Sequence, residues 1–169
     1  MFRLYTKENN RIFPCYEFGD PMNSEISLRE VTPENYDTII SMKVREDQKN
    51  FVASNVHSLA EACVFPGRKP MAIYAGEIPV GFLMFTYWEE RQQHWIFRLM
   101  IAAEHQRQGY GQAAMLLLIE RMRAIPGCHQ IFISYEPENQ AARMLYSNLG
   151  FRPTGEIEGG EEVACLELS

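Results

Sequence analysis

Two glycines stand directly before the most apolar helical pattern of the chain. Gly109 and Gly111 precede residues 112–125, where apolar residues recur at helical spacing. Glycine is a poor helix former, so its use here needs a reason. A helix N-terminus carries unpaired backbone N–H groups and a partial positive charge, and glycine has no Cβ atom to keep phosphate oxygens away from them. The stretch therefore predicts an anion site at the start of this helix.

The hydrophobic pattern predicts a mixed α/β domain whose elements follow the order β-α-α-β-β-β-α-β-α-β-β. Predicted strands cover residues 26–31, 71–75, 80–88, 94–102, 130–136, 151–158 and 161–168. Predicted helices cover residues 33–44, 58–65, 112–125 and 139–150. Thr32, Ser58 and Asn139 are the expected N-caps of the first, second and fourth helices. The short links between 71 and 102 favour an antiparallel meander, and a βαβ crossover follows it.

Residues 1–25 differ from the rest because they show no sustained periodicity and contain Pro14, Gly19 and Pro21. We expect two parts, an N-terminal arm or extension at 1–25 and a single domain at 26–169. Met22 could be the true start of the protein, and the sequence does not decide between the two possibilities.

The composition excludes several classes of function. The chain has 169 residues and a net charge of −6, which makes it a poor general binder of nucleic acid and suits cationic small molecules. Taken alone, the charge is better explained as a contribution to solubility. No run approaches the roughly 18 apolar residues of a membrane span, and no secretory signal is recognisable, so no membrane association is expected. The four cysteines, at 15, 63, 128 and 165, are scattered, which predicts reduced thiols in a cytoplasmic protein and no metal site.

Three interpretations of the glycine stretch compete. The first is a glycine-rich turn that only starts a helix. The second is a dinucleotide fingerprint, because residues 109–114 fit GxGxxA and Glu136 follows the second glycine. That fingerprint normally opens a parallel βαβαβ half near the start of its domain, whereas the strands before Gly109 are predicted to be antiparallel.

The third interpretation rests on a resemblance. Gln106-x-x-Gly109-x-Gly111 resembles the Q/R-x-x-G-x-G/A pyrophosphate motif of the GNAT superfamily of acetyl-CoA-dependent N-acetyltransferases. The run NQAARMLYSNLGF at 139–151 resembles the N-x-x-A-x-x-L-Y-x-x-L-G-F helix and following strand of that superfamily. The resemblance covers residues 26–168 and implies the same element order, with two central parallel strands that splay apart.

The resemblance also implies where acetyl-CoA binds. The splayed strand would contact the pantetheine arm through its backbone, and the glycine loop would hold the pyrophosphate through backbone N–H groups. The residues implied at the cofactor are Leu99, Met100, Ile101, Gln106, Arg107, Gln108, Gly109, Tyr110, Gly111, Gln112 and Asn139. Asn139 would look the same if it were only an N-cap.

Tyr146 lies at the superfamily position of the general acid, which protonates the departing thiolate. The alternative is a tyrosine that merely packs on an amphipathic helix.

The general base is harder to find. Polyamine acetyltransferases of the superfamily can carry an acidic residue on the splayed strand, but the corresponding places here are Phe97 and Arg98. Candidates near the expected mouth of the site are Glu46, Tyr87, Glu89 and Glu90, each of which also fits a solvated surface.

Residues 44–62 resemble the region between the first two helices of bacterial diamine and spermidine/spermine acetyltransferases. This resemblance implies a small cationic amine as acceptor, attacked directly in a ternary complex, and a homodimer. Glu46, Asp47 and Glu89 could attract the cation, and Phe51 could line its alkyl chain.

Other readings of the function remain open at this point. They are an acetyltransferase for another amine (an aminoglycoside, an amino acid, a protein N-terminus or a lysine), a non-catalytic acyl-CoA-binding module and, more remotely, an NAD(P)-dependent oxidoreductase.

Overall fold

A computed structural model describes residues 25–168 of the chain. The predicted arm at 1–25 lies outside the described residues except for Glu25. The strands are β1 (Ile26–Glu30), β2 (Lys69–Ala75), β3 (Ile78–Trp88), β4 (Gln93–Ile101), β5 (Gln130–Tyr135), β6 (Arg152–Glu158) and β7 (Glu161–Glu167). The helices are α1 (Tyr36–Ser41), α2 (Asn55–Val64), α3 (Tyr110–Arg123) and α4 (Gln140–Asn148), with short 3₁₀ turns at Glu46–Gln48 and Ala103–His105. The predicted element order is confirmed.

The strands of the described chain form one mixed sheet in the order β1-β2-β3-β4-β5-β7-β6. Among residues 25–168, β4 and β5 make the one parallel pair, and every other neighbouring pair is antiparallel. A dinucleotide-binding half would need several consecutive parallel strands. The oxidoreductase interpretation is therefore wrong for this sheet.

β4 and β5 pair over only a short length and then separate near the centre of the sheet. The two strands pair only from His94 to Ile96 on β4, although β4 continues to Ile101. Its pairing with β3 skips Phe97, so Phe97 is the extra residue of a β-bulge. The bulge lies where the two strands begin to separate. We call this divergence, from Phe97 on β4 and Ser134 on β5, the fork; it confirms the predicted splay.

The helices cover both faces of the sheet. On the α3 face, α3 and α4 pack on a core that contains Leu83, Ile133 and Ala164. On the opposite, α1 face, α1 and α2 pack on Phe82 and Met84, and an aromatic cluster around Trp95 continues the same face beside β5. Because side chains alternate along a strand, a residue near the fork can point to either face.

Two predicted helix starts are wrong. α1 begins at Tyr36 because residues 33–35 form a turn, in which the Asn35 side chain accepts a hydrogen bond from the Thr32 N–H at 2.8 Å. α2 begins at Asn55, and its N-cap is Ser54, four residues before the predicted cap Ser58. Ser58 is buried inside that helix and donates to the Ser54 carbonyl at 3.2 Å. Local capping patterns could not distinguish between the two serines.

α3 also begins earlier than predicted, at Tyr110, so that Gly111 lies in its first turn. Gly109 is the N-cap and adopts a left-handed conformation with φ 81°. A glycine is favoured there by backbone geometry, because other residues rarely adopt this conformation. Within the described range, the helices are all too short or too polar to cross a bilayer.

Candidate active site

A cavity of about 760 Å³ opens at the fork and reaches both faces of the sheet. Its volume lies in the range of small-molecule sites in proteins. It brings together thirteen of the sixteen predicted site residues: Asp47, Phe51, Leu99, Met100, Ile101, Gln106, Arg107, Gly109, Tyr110, Gly111, Gln112, Asn139 and Tyr146. Gln108, Glu46 and Glu89 do not line it. The sequence-predicted residues therefore converge on one place, with three exceptions.

The N-terminus of α3 forms one wall of the cavity. The backbone N–H groups of Tyr110, Gly111 and Gln112 have no acceptor within the helix, as in the first turn of any α-helix. The first turn contains no acidic residue, whereas Arg121 and Arg123 lie in the last turn. This charge distribution leaves the positive end of the helix dipole free to bind an anion.

The loop before α3 is held in an uncommon conformation. Arg107 adopts a positive φ of 62°, and Gly109 follows with φ 81°. The Gln106 side chain donates to the Ile101 carbonyl at 3.0 Å and to Oε1 of Gln48 at 2.8 Å. The resemblance implies Gln106 at the cofactor, and in the structure its amide group ties the loop to the end of β4 and to the Glu46–Gln48 turn. The Gln108 amide is exposed and lies 3.5 Å from the Glu104 carbonyl.

The fork supplies a second feature of the cavity. Leu99, Met100 and Ile101 line it from β4, and beyond Ile96 the backbone edge of β4 that faces β5 has no strand partner among residues 25–168. Extended backbone of this kind can bind an extended ligand by hydrogen bonds to its N–H and C=O groups. On the other side of the opening, Asn139 caps α4 by accepting from the Ala142 N–H at 3.1 Å.

Tyr146 enters the cavity from α4 and is almost fully buried, with 9% of its surface exposed. Its ring packs against Tyr135 and Phe151, with centroid distances of 5.7 and 5.9 Å. Burial raises the pKa of the Tyr146 hydroxyl far above its ordinary value, and the charge of Glu161 raises it further. The phenol therefore keeps its proton at neutral pH and can donate it to an acceptor in the cavity.

Ser134 and Glu161 line the cavity and are not among the predicted site residues. Glu161 belongs to the acidic segment at 158–162, which by sequence fits a solvated turn better than a position beside the acceptor. It instead begins β7, lines the cavity and accepts a hydrogen bond from the Ser134 hydroxyl. The alternation of β7 could have indicated this position, because Glu161 shares a strand face with the buried Val163.

The segment predicted to contact the acceptor is only partly in the cavity wall. Phe51 and Asp47 line it, and the Asp47 carboxylate is paired with Arg45 at 3.2 Å. Glu46 lies outside the lining because its side chain pairs with Lys49 on the exposed surface. Glu89 lies in the turn between β3 and β4, away from the opening.

Arg98 occupies the part of β4 where an acidic residue was considered, and it is already paired. Its guanidinium lies 3.2 Å from a carboxylate oxygen of Glu61, and Arg68 lies 2.7 Å from the other oxygen. This three-residue cluster on the α1 face ties α2 to the sheet beside the fork. Within residues 25–168, no group of three or more His, Cys, Asp or Glu side chains is arranged to hold a metal ion.

Comparison with known proteins agrees with this geometry. A sequence model of the Acetyltransferase (GNAT) family matches residues 29–151, most of the chain. The chain belongs to the GNAT acetyltransferase family. It is therefore an N-acetyltransferase by family, as the two motifs around Gly109 and Tyr146 predict.

Individual relatives add detail about the fold. The chain is 28% identical over 150 residues to the spermine/spermidine N(1)-acetyltransferase of Bacillus subtilis strain 168, covering 85% of this chain and 99% of that protein. Its fold matches spermidine N-acetyltransferase from Vibrio cholerae, crystallised with CoA and spermine, with TM-score 0.66, 17% identity and coverage of 86% and 96%. It also matches the PaiA N-acetyltransferase of Thermoplasma acidophilum in complex with coenzyme A, with TM-score 0.63, 15% identity and coverage of 85% and 99%.

Proposed function

We propose that this GNAT protein transfers the acetyl group of acetyl-CoA to a primary amine of a polyamine or diamine, such as spermidine or spermine. The observation that carries the proposal is the meeting of three features in one cavity: the bare N-terminus of α3, the unpaired edge of β4 and the buried Tyr146 hydroxyl. The relatives named for spermine and spermidine support the choice of acceptor.

The described residues fit acetyl-CoA. The first turn of α3 and the loop around Gly109 would hold its diphosphate, because they offer free N–H groups and no acidic side chain. A Cβ atom at Gly109 would meet no protein atom within 4 Å, which leaves room for a ligand against the loop. Leu99, Met100 and Ile101 would hold the pantetheine arm along the open edge of β4.

In this site Tyr146 is the general acid. Acetyl-CoA supplies a thioester, whose thiol product has a pKa near ~8.5 and leaves more easily when protonated. The Tyr146 hydroxyl lies inside the cavity and keeps its proton because burial raises its pKa. It can therefore donate that proton to the leaving sulfur. Among residues 25–168, no cysteine lines the cavity to form an acetyl-enzyme. This supports direct attack by the amine in a ternary complex.

The acceptor half of the site suits a flexible cation. On the α1 face the wall combines the Phe51 ring with the carboxylates of Asp47 and Glu161. An aromatic and aliphatic surface can pack against methylene groups, while carboxylates attract the charged ends of a polyamine. The overall charge of −6 favours the approach of a polycation over that of an anionic acceptor.

A thiol-release assay tests this proposal. Purified protein is supplied with acetyl-CoA and, separately, spermidine, spermine, putrescine, lysine, an aminoglycoside and a peptide with a free N-terminus. We expect kcat/KM to be highest for a polyamine or diamine, by about tenfold or more, because a flexible aliphatic chain without a carboxylate or bulky rings can place a second cation near Asp47. Faster turnover of another amine would contradict the acceptor and leave the acetyltransferase family unaffected.

Tyr146→Phe separates an enzyme from an acyl-CoA-binding module. The variant should bind coenzyme A normally and lose most of its turnover, whereas a binding module would lose nothing.

We also propose a cytoplasmic location and a homodimer. Among residues 25–168, Cys63, Cys128 and Cys165 form no disulfide, which supports a reducing compartment. Size-exclusion chromatography with light scattering tests the dimer, and a monomer at micromolar concentration would contradict it.

A further inference from the structure

Three glutamates of the β6–β7 hairpin have different partners. Glu158 pairs with Arg91 at 2.5 Å, and Glu162 pairs with Arg143 at 2.7 Å. Glu161 lies between them in sequence and, among the residues that the structure describes, accepts a hydrogen bond only from the Ser134 hydroxyl. Across the described part of the chain, no Lys, Arg or His nitrogen lies within 4 Å of its carboxylate. A half-buried carboxylate in a cavity normally has a cationic partner, so this one is available to a ligand.

The strand register places Glu161 opposite Tyr146 across the fork. Ser134 pairs with Val163, so these two side chains share the α1 face, and Glu161 lies on that face two residues before Val163. Tyr146 packs on the α3 face. Both line the same cavity, and the carboxylate is close enough for its charge to raise the pKa of the phenol. The opening between the strands therefore has a carboxylate on one side and a phenol on the other.

β4 provides no side chain that could accept a proton from the acceptor at the fork. At the bulge it carries Phe97 and then Arg98, and the Arg98 guanidinium is occupied by Glu61 at 3.2 Å. Neither residue can accept a proton at neutral pH. The other charged or titratable side chains that line the cavity are Arg45, Asp47, Arg98, His105, Arg107, Tyr110, Tyr135 and Tyr146. Of the carboxylates in this lining, Asp47 is held by Arg45, whereas Glu161 has no basic partner.

We infer that Glu161, oriented by Ser134, binds the reacting ammonium group of the acceptor and accepts its proton. The inference rests on the proposed function, because it needs an amine acceptor at the fork. An N–H bond of the ammonium breaks and its proton moves to the Glu161 carboxylate. The freed nitrogen lone pair attacks the thioester carbon, the C–N bond forms and the C–S bond breaks.

Further proton transfers complete the reaction. The sulfur receives the Tyr146 proton and leaves as a thiol, and the second proton lost by the nitrogen returns Tyr146 to its neutral form. Glu161 releases the first proton to solvent through the open cavity. The net reaction converts an ammonium ion and a thioester into an amide, a thiol and one proton. Glu161 is a catalytic residue in this scheme, and Ser134 is a positioning residue.

The experiment compares Glu161→Gln with Glu167→Gln. Both replace a glutamate of β7 by its amide, but Glu167 lies at the exposed end of the strand, where it accepts from Gln130 at 2.7 Å. At pH 7 we expect Glu161→Gln to lower kcat/KM for spermidine about 100-fold, as is usual for a general base. The loss should shrink as the pH approaches 10, because the free amine needs no base. KM for acetyl-CoA should stay within twofold of the wild-type value, and Glu167→Gln should match the wild type.

Ser134→Ala provides a second test that keeps the carboxylate. It should lower kcat about threefold to tenfold and alter the pH profile of kcat/KM, because the carboxylate loses its hydrogen-bond donor. Glu161→Asp should retain more activity than Glu161→Gln at pH 7. Thermal denaturation of each variant checks the fold.

The outcomes separate the inference from the proposed function. If the wild type acetylates an amine and Glu161→Gln stays within threefold of it from pH 7 to pH 10, Glu161 has no such role and the inference is overturned alone. If the folded wild type neither binds nor acetylates any amine of the panel, the proposed function fails, and the role of Glu161 fails with it.

Discussion

In the proposed function, the two halves of the cavity would recognise their ligands in different ways. The cofactor half consists of the loop around Gly109, the first turn of α3 and the open edge of β4, and its binding groups are backbone N–H and C=O groups. The acceptor half lies on the α1 face and consists of side chains, chiefly Phe51, Asp47 and Glu161. Ligand recognition therefore depends on backbone conformation in the cofactor half and on side-chain identity in the acceptor half.

This difference explains how each half responds to substitution. Backbone recognition tolerates most side-chain changes and fails when the backbone conformation becomes strained. Side-chain recognition depends on carboxylates whose partners hold them in place, such as Ser134 with Glu161. Five substitutions and one pH titration test this comparison.

The largest effect is expected at Tyr146, where the two halves meet. Tyr146→Phe removes the hydroxyl and keeps the ring contacts with Tyr135 and Phe151. We expect kcat to fall about 100-fold or more, with KM for acetyl-CoA and for the acceptor within about threefold, because only the proton donor is lost. Steady-state kinetics measure this change. A variant with wild-type kcat would show that the phenol only packs.

A smaller effect, confined to the acceptor half, is expected at Glu61. This carboxylate is 21% exposed and pairs with both Arg68 and Arg98. Glu61→Gln should lower the free energy of unfolding by about 2 kcal/mol, less than for a fully buried pair because the cluster is partly solvated. It should raise KM for the acceptor and leave KM for acetyl-CoA unchanged. Urea denaturation and kinetics measure both effects.

Glu77→Gln is the matched control for Glu61→Gln. Glu77 pairs with Arg29 at 2.9 Å, but its side chain is 87% exposed, and solvent screening should limit the change to a few tenths of a kcal/mol. If Glu61→Gln is as mild as Glu77→Gln, the cluster beside the fork does not stabilise the acceptor wall.

The cofactor half is tested by a pair of glycine substitutions. Gly109→Ala should destabilise the fold by about 1 kcal/mol and raise KM for acetyl-CoA, because φ 81° is unfavourable for alanine. Gly111→Ala should keep or slightly raise the stability, since its Cβ would lie at ordinary contact distances of 3.5 Å from Ile101 and 4.0 Å from Leu145 in a helical turn. Equal effects at both positions would show that backbone conformation does not distinguish them.

The smallest effect concerns the dependence of stability on alkaline pH. Because burial raises the Tyr146 pKa above its unfolded value near ~10, the native state keeps a proton that the unfolded state loses. Stability is therefore unaffected below pH 10 and falls above it. At pH 10.5 we expect a loss of about 1 kcal/mol in the wild type and none from this position in Tyr146→Phe. If the free energy of unfolding depended on pH above 10 in the same way in both proteins, this result would contradict the raised pKa.

The same difference between the halves decided what the sequence could predict. A left-handed N-cap favours glycine, so Gly109 leaves a recognisable mark. Asn139 marks the start of α4 by a different device, because its side chain accepts a hydrogen bond from the Ala142 N–H. The element order and the splay followed from periodicity and from the superfamily resemblance. Backbone geometry constrains residue types at fixed spacing, and such constraints can be read along the chain.

The acceptor half was much less predictable. Glu161 and Ser134 come together only because β5 and β7 pair in a particular register, which no local pattern records. Glu46 looked suitable by charge, yet Lys49 one turn away holds it at the surface. Strand alternation can indicate which face of β7 carries Glu161, but the partner of each carboxylate is set by tertiary pairing.

The central claim is that the α3 N-terminus and the fork together bind acetyl-CoA. A crystal structure with coenzyme A tests it most directly. The account predicts diphosphate oxygens within hydrogen-bond distance of backbone N–H groups between Arg107 and Gln112, the pantetheine arm along Leu99–Ile101, and the sulfur beside the Tyr146 hydroxyl. A diphosphate bound elsewhere, or a sulfur remote from Tyr146, would contradict the account.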